Sequence, residues 1–343
     1  MDINGFLAGI LTGINSVVNN YGWSIVVFTL LIKVVLLPFD YKSRKSMRRM
    51  SKLQPEIAKI QKKYANDKEK LNQKTSELYR KEKINPLSGC VPMLITFPIL
   101  FAMFGAMRTI ANTQMAQQVA DLLTTNTQTN ETWLWVKNLW MPDSPFATTL
   151  ADLASLKQIP ADIWQNVWQG LSAGQVDILK GMGLGLEQMQ AAIADAAANK
   201  QTLAMGDLIF PVLQQNPTYL AESVKWAAMP ELNLLITRLP IYAFNNGLFL
   251  LPILAAVTQF LMTATQPQPA AAAQGQAAGS GAFMKYFFPL FSLYICSSYT
   301  AGFSLYWVMS NIIAWAQGAV LNKIFEEQER KANQTTIGEG TVK

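Results

Sequence analysis

The chain has 343 residues, of which half are apolar, with a formal net charge of +6, two cysteines and no histidine. The lack of histidine excludes a Ser-His-Asp triad and a Cys-His dyad, and with only two cysteines it leaves no ligand set for a metal such as zinc. The apolar residues fall in blocks rather than in amphipathic stripes, which is typical of an integral membrane protein.

Five apolar blocks predict an all-α protein with five transmembrane helices, since roughly 20 apolar residues cross the hydrocarbon core. In chain order the predicted spans are 21–39, 86–110, 247–264 and two within 285–323. Ahead of them, residues 1–20 place apolar side chains at helical spacing opposite Asn, Gly, Thr and Ser. This pattern predicts an amphipathic helix that lies along the membrane surface.

Charge sets the predicted orientation of these spans. Residues 40–83 carry fifteen Lys and Arg against six Asp and Glu, and such basic loops remain in the cytoplasm. Residues 111–246 carry six basic and eleven acidic residues, which suits an external segment. The sequence therefore predicts an N-terminus outside and a C-terminus inside.

The cytoplasmic segments differ in composition. Residues 40–85 predict a basic hairpin of two short antiparallel helices, because seam residues recur there at spacings of three and four: Met50, Leu53, Ile57, Ile60 and Tyr64, and then Leu71, Thr75 and Leu78. Residues 265–284 are rich in Ala, Gln, Gly and Pro and predict a flexible linker, and residues 324–343 predict a short tail.

The external segment 111–246 predicts an inserted helical domain at about 145–245, where the composition favours helices. The residues of this domain indicate no particular role. Just before it, Trp133, Trp135 and Trp140 resemble an aromatic belt at the membrane interface.

Lys33 lies in the middle of the first predicted span. A basic side chain there costs about 2.5–3.5 kcal/mol and is rarely kept without a use, although its stem could also reach the inner interface. Thr29 lies one turn before it, and Ser304, Trp307 and Asn311 share one face of the last span. We therefore expect a water-filled cavity with a fixed positive charge, which could serve an anion channel, a transporter or a site for acidic peptide segments.

Several motifs together resemble one known family. They are "YGWSIVVFTLLIKVVLLPF", "LQPEIAKIQKKY", "LYRKEKINPLSGCVPMLITFPILF", "WLWVKNL", "LFLLPILAAVTQFL" and "FPLFSLYICSSYTAGFSLYWVMSNIIAWAQ". Covering residues about 20–144 and 247–323, they are similar to the YidC/Oxa1/Alb3 family of membrane protein insertases. The resemblance implies five helices around a hydrophilic groove that opens to the cytoplasm and to lipid, in the bacterial cytoplasmic membrane.

The family also implies a function and a set of partners. Its members insert nascent membrane proteins into the lipid bilayer, alone or with the Sec translocon, often during translation by the ribosome. The resemblance implies no enzyme activity, no nucleotide or other cofactor, and no DNA partner. A channel or transporter for small anions is the alternative that the same charged cavity leaves open.

The resemblance assigns residues to three roles. Lys33 matches the basic residue of the groove, Thr29 its polar neighbour and Trp307 an aromatic groove position. Ser304 and Asn311 join this candidate groove because they share the helix face of Trp307. An apolar surface along which a substrate helix slides would comprise Met93, Phe97, Phe101 and Phe104 with Phe303, Tyr306 and Met309. The candidate contacts of the hairpin with a ribosome or rRNA are Arg48, Arg49, Lys52, Lys59, Lys62 and Lys63.

This sequence departs from the family pattern in three places. Most members have arginine where Lys33 stands, and lysine keeps the charge but not the planar fork of donors. The segment at 145–245 is longer than the usual connection. Residues 323–343 have four acidic and four basic residues, so that direct ribosome contact falls to the basic hairpin.

Overall fold

The computed structural model describes residues 3–82, 91–233, 238–265 and 278–340. Within them it contains fourteen α-helices and one two-stranded sheet. The chain divides into two compact units. The first comprises Met1–Val27, Ala102–Ile253 and Tyr294–Tyr306, and the second comprises Phe28–Phe101, Leu254–Leu293 and Trp307–Lys343.

Five helices overlap the predicted membrane spans, and residues 86–90 of the second predicted span lie outside the described part of the chain. The five helices are α2 (Tyr21–Lys52), α5 (Val91–Thr125), α12 (Leu250–Thr265), α13 (Ala278–Ser298) and α14 (Ala301–Gly340). Among the described residues, α2 alone is both long and apolar enough to cross a membrane, whereas α1 (Ile3–Val18) and α12 are apolar but shorter. The mostly helical fold agrees with the predicted class, and the number of spans stays a prediction.

Four of these helices extend beyond their predicted bounds. α13 begins at Ala278, within the predicted linker 265–284, of which residues 266–277 lie outside the described part of the chain. α2 continues past residue 39 into the basic segment, and its last turn carries Arg49 and Lys52, which favour the negative end of the helix dipole. α5 continues to Thr125, and α14 continues through most of the predicted tail to Gly340. Hydropathy locates the membrane-crossing part of a helix, but not where the helix ends.

The basic hairpin belongs to the second unit and consists of α3 (Gln54–Lys63) and α4 (Lys68–Lys81). Its buried seam contains four of the residues that the spacing predicts, Met50, Leu53, Ile57 and Leu78, together with Tyr79, and the partly buried Ile60 packs against it. Pro55 lies in the first turn of α3, where a proline costs no helical hydrogen bond. The Asp67 side chain caps α4 by accepting from the Lys70 N–H at 3.0 Å.

The predicted external domain lies in the first unit and is not purely helical. Its helices are α6 (Leu153–Lys157), α7 (Ala161–Gln169), α8 (Ala173–Gly181), α9 (Leu186–Ala198), α10 (Met205–Leu213) and α11 (Pro217–Lys225). An antiparallel hairpin of β1 (Ala228–Asn233) and β2 (Arg238–Tyr242) follows, with an irregular register between Met229 and Leu232. The prediction of helices alone is therefore wrong here, because Pro230 and Pro240 disfavour helix and are tolerated in the strands of a two-stranded sheet.

The prediction of an interfacial tryptophan belt is also wrong for two of its three members. Trp140 is 1% exposed and packs edge-to-face against Tyr21, with ring centroids 5.0 Å apart. Trp133 is buried as well, while Trp135 is half-buried and donates to Asp143 Oδ2 at 3.1 Å. These rings form part of the first unit's core, because aromatic side chains bury more apolar area than most others.

Two asparagines join the beginning and the end of the inserted domain. The Asn138 N–H donates to Asn246 Oδ1 at 2.8 Å, and Asn246 Nδ2 donates to the carbonyls of Asn138, Met141 and Pro142 at 2.9, 3.2 and 2.9 Å. Both side chains are fully buried. The chain therefore leaves for the insertion and returns from it at one hydrogen-bonded junction.

Candidate functional site

Four of the predicted groove residues lie in the second unit: Thr29, Lys33, Trp307 and Asn311. Thr29 and Asn311 are buried, while Lys33 and Trp307 are half-buried. Ser304 lies in the first unit, where its hydroxyl donates to the Cys296 carbonyl at 3.0 Å. The fifth predicted residue thus takes part in the packing of α14 on α13.

Polar contacts connect three helices of the second unit around these residues. Asn311 Nδ2 on α14 donates to Thr258 Oγ1 on α12 at 3.4 Å. Gln317 Nε2, also on α14, donates to the Lys33 carbonyl on α2 at 3.3 Å. A polar face therefore runs along helices that are otherwise apolar, as a water-accessible cavity between spans would require.

The amine of Lys33 is not neutralised by a close partner among the described residues. Among the described residues, no hydrogen bond or ion pair within 4.0 Å involves its Nζ, and the charged groups that act on it electrostatically are Asp40 and Arg44. Residues 33, 40 and 44 recur at spacings of seven and four, which places them on one face of α2. Sequence reasoning missed Asp40 and Arg44, although this spacing could have identified them.

Opposite this polar face, the helices of the second unit expose apolar side chains. On α2 these include Leu30, Leu31, Val34 and Val35, which are 42–61% exposed. Similar residues on α12, α13 and α14 are Val257, Leu261, Phe287, Leu290, Phe291, Ile312, Trp315 and Val320. A soluble monomer rarely exposes so much apolar surface, whereas hydrocarbon chains solvate it well.

The residues of the predicted apolar surface for the substrate helix, the apolar slide, differ in their exposure to solvent. In the first unit, Phe104 packs against Phe303 and Tyr299 with ring centroids 5.3 and 4.8 Å apart, and Phe303 and Tyr306 are buried. In the second unit, Phe101 is 67% exposed and Met309 is half-buried. The side chains of Met93 and Phe97 lie outside the described part of the chain.

The six basic residues predicted as hairpin contacts also fall into two groups, and three of them, Arg48, Arg49 and Lys52, lie on α2. Arg48 and Lys52 contact the Glu329 carboxylate on α14 at 3.0 and 2.9 Å, and Arg48 also donates to the Asn322 carbonyl at 3.2 Å. The hydrogen bond from Lys52 is the main reason that the pKa of Glu329 lies below its ordinary value. The others, Arg49, Lys59, Lys62 and Lys63, are exposed and form no salt bridge within the described residues.

Known proteins with similar sequences provide an independent comparison. The family model described as 60Kd inner membrane protein matches residues 13–193 and 207–329. Among curated relatives, the membrane protein insertase YidC of Fusobacterium nucleatum is 56% identical over 103 residues, which are 30% of this chain and 50% of the relative.

Two further relatives carry the same name. That of Anaeromyxobacter dehalogenans is 37% identical over 142 residues, or 41% of this chain and 23% of the relative. That of Coxiella burnetii is 47% identical over 102 residues, or 30% of this chain and 18% of the relative. The chain spans half or less of the length of these curated relatives.

Proposed function

The chain belongs to the 60Kd inner membrane protein family, and from this membership we propose that it is a membrane protein insertase. It is a protein of the bacterial inner membrane, and its proposed substrates are nascent membrane proteins. The observation that carries the proposal is Lys33, a cation without a close anionic partner among the described residues, on a helix whose other face is exposed and apolar.

The proposed topology has five spans, with the N-terminus outside and the C-terminus inside. Two contacts between α2 and α14 support it: Lys33 with Gln317, and the ring of Tyr41 with that of Phe325 at 5.2 Å. Both pairs have the same sequence offset of 284, so the two helices run in the same direction in the second unit. Successive spans alternate in direction, and parallel first and last spans therefore require an odd number of spans.

The proposed groove is the polar face that contains Thr29, Lys33, Trp307 and Asn311. Water in such a groove shortens the hydrocarbon that a polar segment must cross and so lowers the desolvation cost of its transfer. The Lys33 amine attracts acidic residues of the segment that is moved outward, and this attraction is stronger in the groove than in bulk water. Ser304 is then a packing residue at the outer end of the same helix.

The driving free energy in this proposal comes from lipid. A substrate helix that leaves the groove sideways buries its apolar side chains in hydrocarbon, at about 25 cal/mol per Å². The exposed Phe101 and the half-buried Met309 of the second unit are the slide residues best placed to contact it. No covalent bond is made or broken, and no nucleotide or other cofactor takes part.

Two further partners are proposed from the family alone, the Sec translocon and the ribosome. If the hairpin contacts rRNA, the exposed group Arg49, Lys59, Lys62 and Lys63 is better suited than Arg48 and Lys52, which already contact Glu329. Lysine and arginine bind phosphate most strongly when no carboxylate of the same protein competes for them.

The test uses purified protein in lipid vesicles and a single-span substrate with either an acidic or a neutral outgoing tail. Lys33→Glu should slow insertion of the acidic-tail substrate by about tenfold or more, because an attraction becomes a repulsion and about 1.4 kcal/mol corresponds to tenfold. Lys33→Arg should insert both substrates at the parental rate. Lys42→Glu is the matched control, since Lys42 is exposed on the same helix.

Equal insertion of the acidic-tail substrate by Lys33→Glu and by the parental protein would refute the role of this charge. A parental protein that inserts neither substrate but conducts small anions across the vesicle membrane would instead support the channel alternative.

A further inference from the structure

Arg44 is a second buried cation on the lysine-bearing face of α2. Arg44 is only 8% exposed, and its Nη2 donates to the Ala314 carbonyl of α14 at 3.2 Å. Its Nη1 is buried and has no hydrogen-bond acceptor among the described residues. The guanidinium is therefore fixed in place by one contact while another of its donor groups is unused.

The sequence of α14 makes room for this guanidinium. Gly318 faces it so closely that a Cβ atom at that position would lie 2.7 Å from Nη1. Any residue larger than glycine at position 318 would displace the arginine. Glycine in a helix interior costs roughly 0.5–1 kcal/mol relative to alanine, and at position 318 it allows this close approach.

A buried cation with an unused donor is costly unless an anion completes its hydrogen bonds. Asp40 is the acid that acts electrostatically on Arg44, yet the two form no ion pair within 4.0 Å. Arg44 thus has a donor group without an anionic partner among the described residues. Its planar fork of N–H groups matches a carboxylate with two parallel hydrogen bonds.

The position of Arg44 indicates where that anion comes from. It lies eleven residues after Lys33, close to three helical turns, so the two cations share a face at a separation of about 16 Å. Because α2 would run from outside to inside, Arg44 is the more cytoplasmic of the two. A segment that enters the proposed groove from the cytoplasm reaches Arg44 first.

We propose that Arg44 is a second carboxylate-binding residue of the substrate path, which binds acidic residues of the incoming segment before they reach Lys33. This inference rests on the proposed insertase function and extends it. Asp40, between the two cations, is the internal anion that competes with the substrate carboxylate.

A lipid headgroup is the other anion found at this depth, and the contacts favour the polypeptide. Arg44 contacts α14 beside Gln317, the residue that also contacts Lys33, and not on the exposed apolar face of α2 where lipid would lie. The neighbouring Lys45 is exposed and is better placed for headgroups.

The experiment measures peptide binding by the full-length protein in detergent. The probes are two fluorescent peptides that share one apolar helix and carry either an Asp-containing or a matched Asn-containing tail. Arg44→Gln should weaken binding of the acidic peptide about tenfold, as expected for the loss of a charge-assisted hydrogen bond, and leave the neutral peptide unchanged. Asp40→Asn should tighten binding of the acidic peptide.

Two further variants separate recognition from folding. Gly318→Ala keeps every charge and favours helix, but it moves the guanidinium, so it should weaken the acidic peptide alone. Lys42→Gln removes one exposed charge from the same helix and should bind both peptides as the parental protein does.

The inference is wrong if Arg44→Gln and Gly318→Ala bind the acidic peptide as the parental protein does. It is also wrong if both peptides weaken equally while co-purified anionic phospholipid is lost, which would identify a headgroup site. Failure of the parental protein to insert substrates in vesicles would refute the proposed function, whereas the binding comparison would still decide the role of Arg44.

Discussion

Asn246→Ala should destabilise the first unit more than its small change in volume suggests. The Asn246 side chain makes four hydrogen bonds to the backbone, one as acceptor from the Asn138 N–H and three as donor to carbonyls. The same loop receives the start of α14, because the Ala301 N–H donates to the Met141 carbonyl and the Gly302 N–H to the Leu139 carbonyl, at 2.9 and 2.8 Å. One side chain thus holds the loop on which α14 begins.

The size of the effect follows from what the truncation leaves unpaired. The Asn138 N–H would lose its acceptor in a fully buried place, and a buried donor or acceptor without a partner costs about 1–3 kcal/mol. The Met141 carbonyl keeps its bond from Ala301, so the carbonyls of Asn138 and Pro142 are the ones left short of a donor. With partial relaxation we expect a total of about 3 kcal/mol.

Thermal unfolding in detergent, followed by tryptophan fluorescence, measures this loss. For a unit of roughly 190 residues, each kcal/mol lowers the midpoint by about 2–4 °C, so Asn246→Ala should lower it by about 6–12 °C. Asn199→Ala is the control, because Asn199 is exposed and its side chain bonds only to the nearby Asp195 carbonyl. Midpoints of the two variants within about 2 °C of each other would refute the reasoning.

Two other predictions concern single packing contacts. Gly206→Ala should destabilise the inserted domain by about 1–3 kcal/mol, because the new Cβ would lie 2.6 Å from the Leu156 carbonyl carbon. Gly174→Ala is the control and should leave the stability unchanged, because no atom lies within 4 Å of its Cβ position. Thermal unfolding compares the two variants. Glu329→Gln should speed hydrogen exchange in residues 322–331, with an effect below about 1 kcal/mol because Glu329 is 37% exposed. Because the pKa of Glu329 is lowered in the folded protein, its contacts with Arg48 and Lys52 should contribute fully above pH 4.5, the ordinary pKa of a glutamate. This contribution should be lost as the pH falls through the lowered pKa. Glu329→Gln should lack this response to acid.

The sequence predicts those parts of the fold that depend on local periodicity. The hairpin seam at Met50, Leu53, Ile57 and Leu78 follows from spacings of three and four, because residues at that spacing share one helix face. Lys33 and Thr29 are identifiable in the same way, since a polar strip in an apolar run needs no tertiary information. The contacts of Gln317 with Lys33 and of Thr258 with Asn311 cannot be identified from the sequence, because they join distant helices whose pairing depends on the whole chain.

The errors have a common physical origin in contacts between distant segments. The tryptophans of "ETWLWVKNLW" have the composition of an interfacial belt, but Trp140 is buried by Tyr21, more than a hundred residues away. The extension of α5 beyond residue 110 is stabilised by the inserted domain, as Asn216 Nδ2 donates to the Leu122 carbonyl and Gln175 Nε2 to Thr124 Oγ1. Hydropathy cannot report either contact.

Arg48, Arg44 and Lys33 follow one another on α2 towards the middle of the predicted span, and the hydrogen bonding of their side chains decreases in the same order. Arg48 contacts the Asn322 carbonyl and the Glu329 carboxylate, Arg44 contacts one carbonyl, and the Lys33 amine has no close partner among the described residues. A carboxylate that moves from the hairpin towards Lys33 therefore competes with fewer internal acceptors at each step. For the proposed insertase, this order makes the deepest charge the most available one, so that attraction increases where hydrocarbon opposes the substrate most.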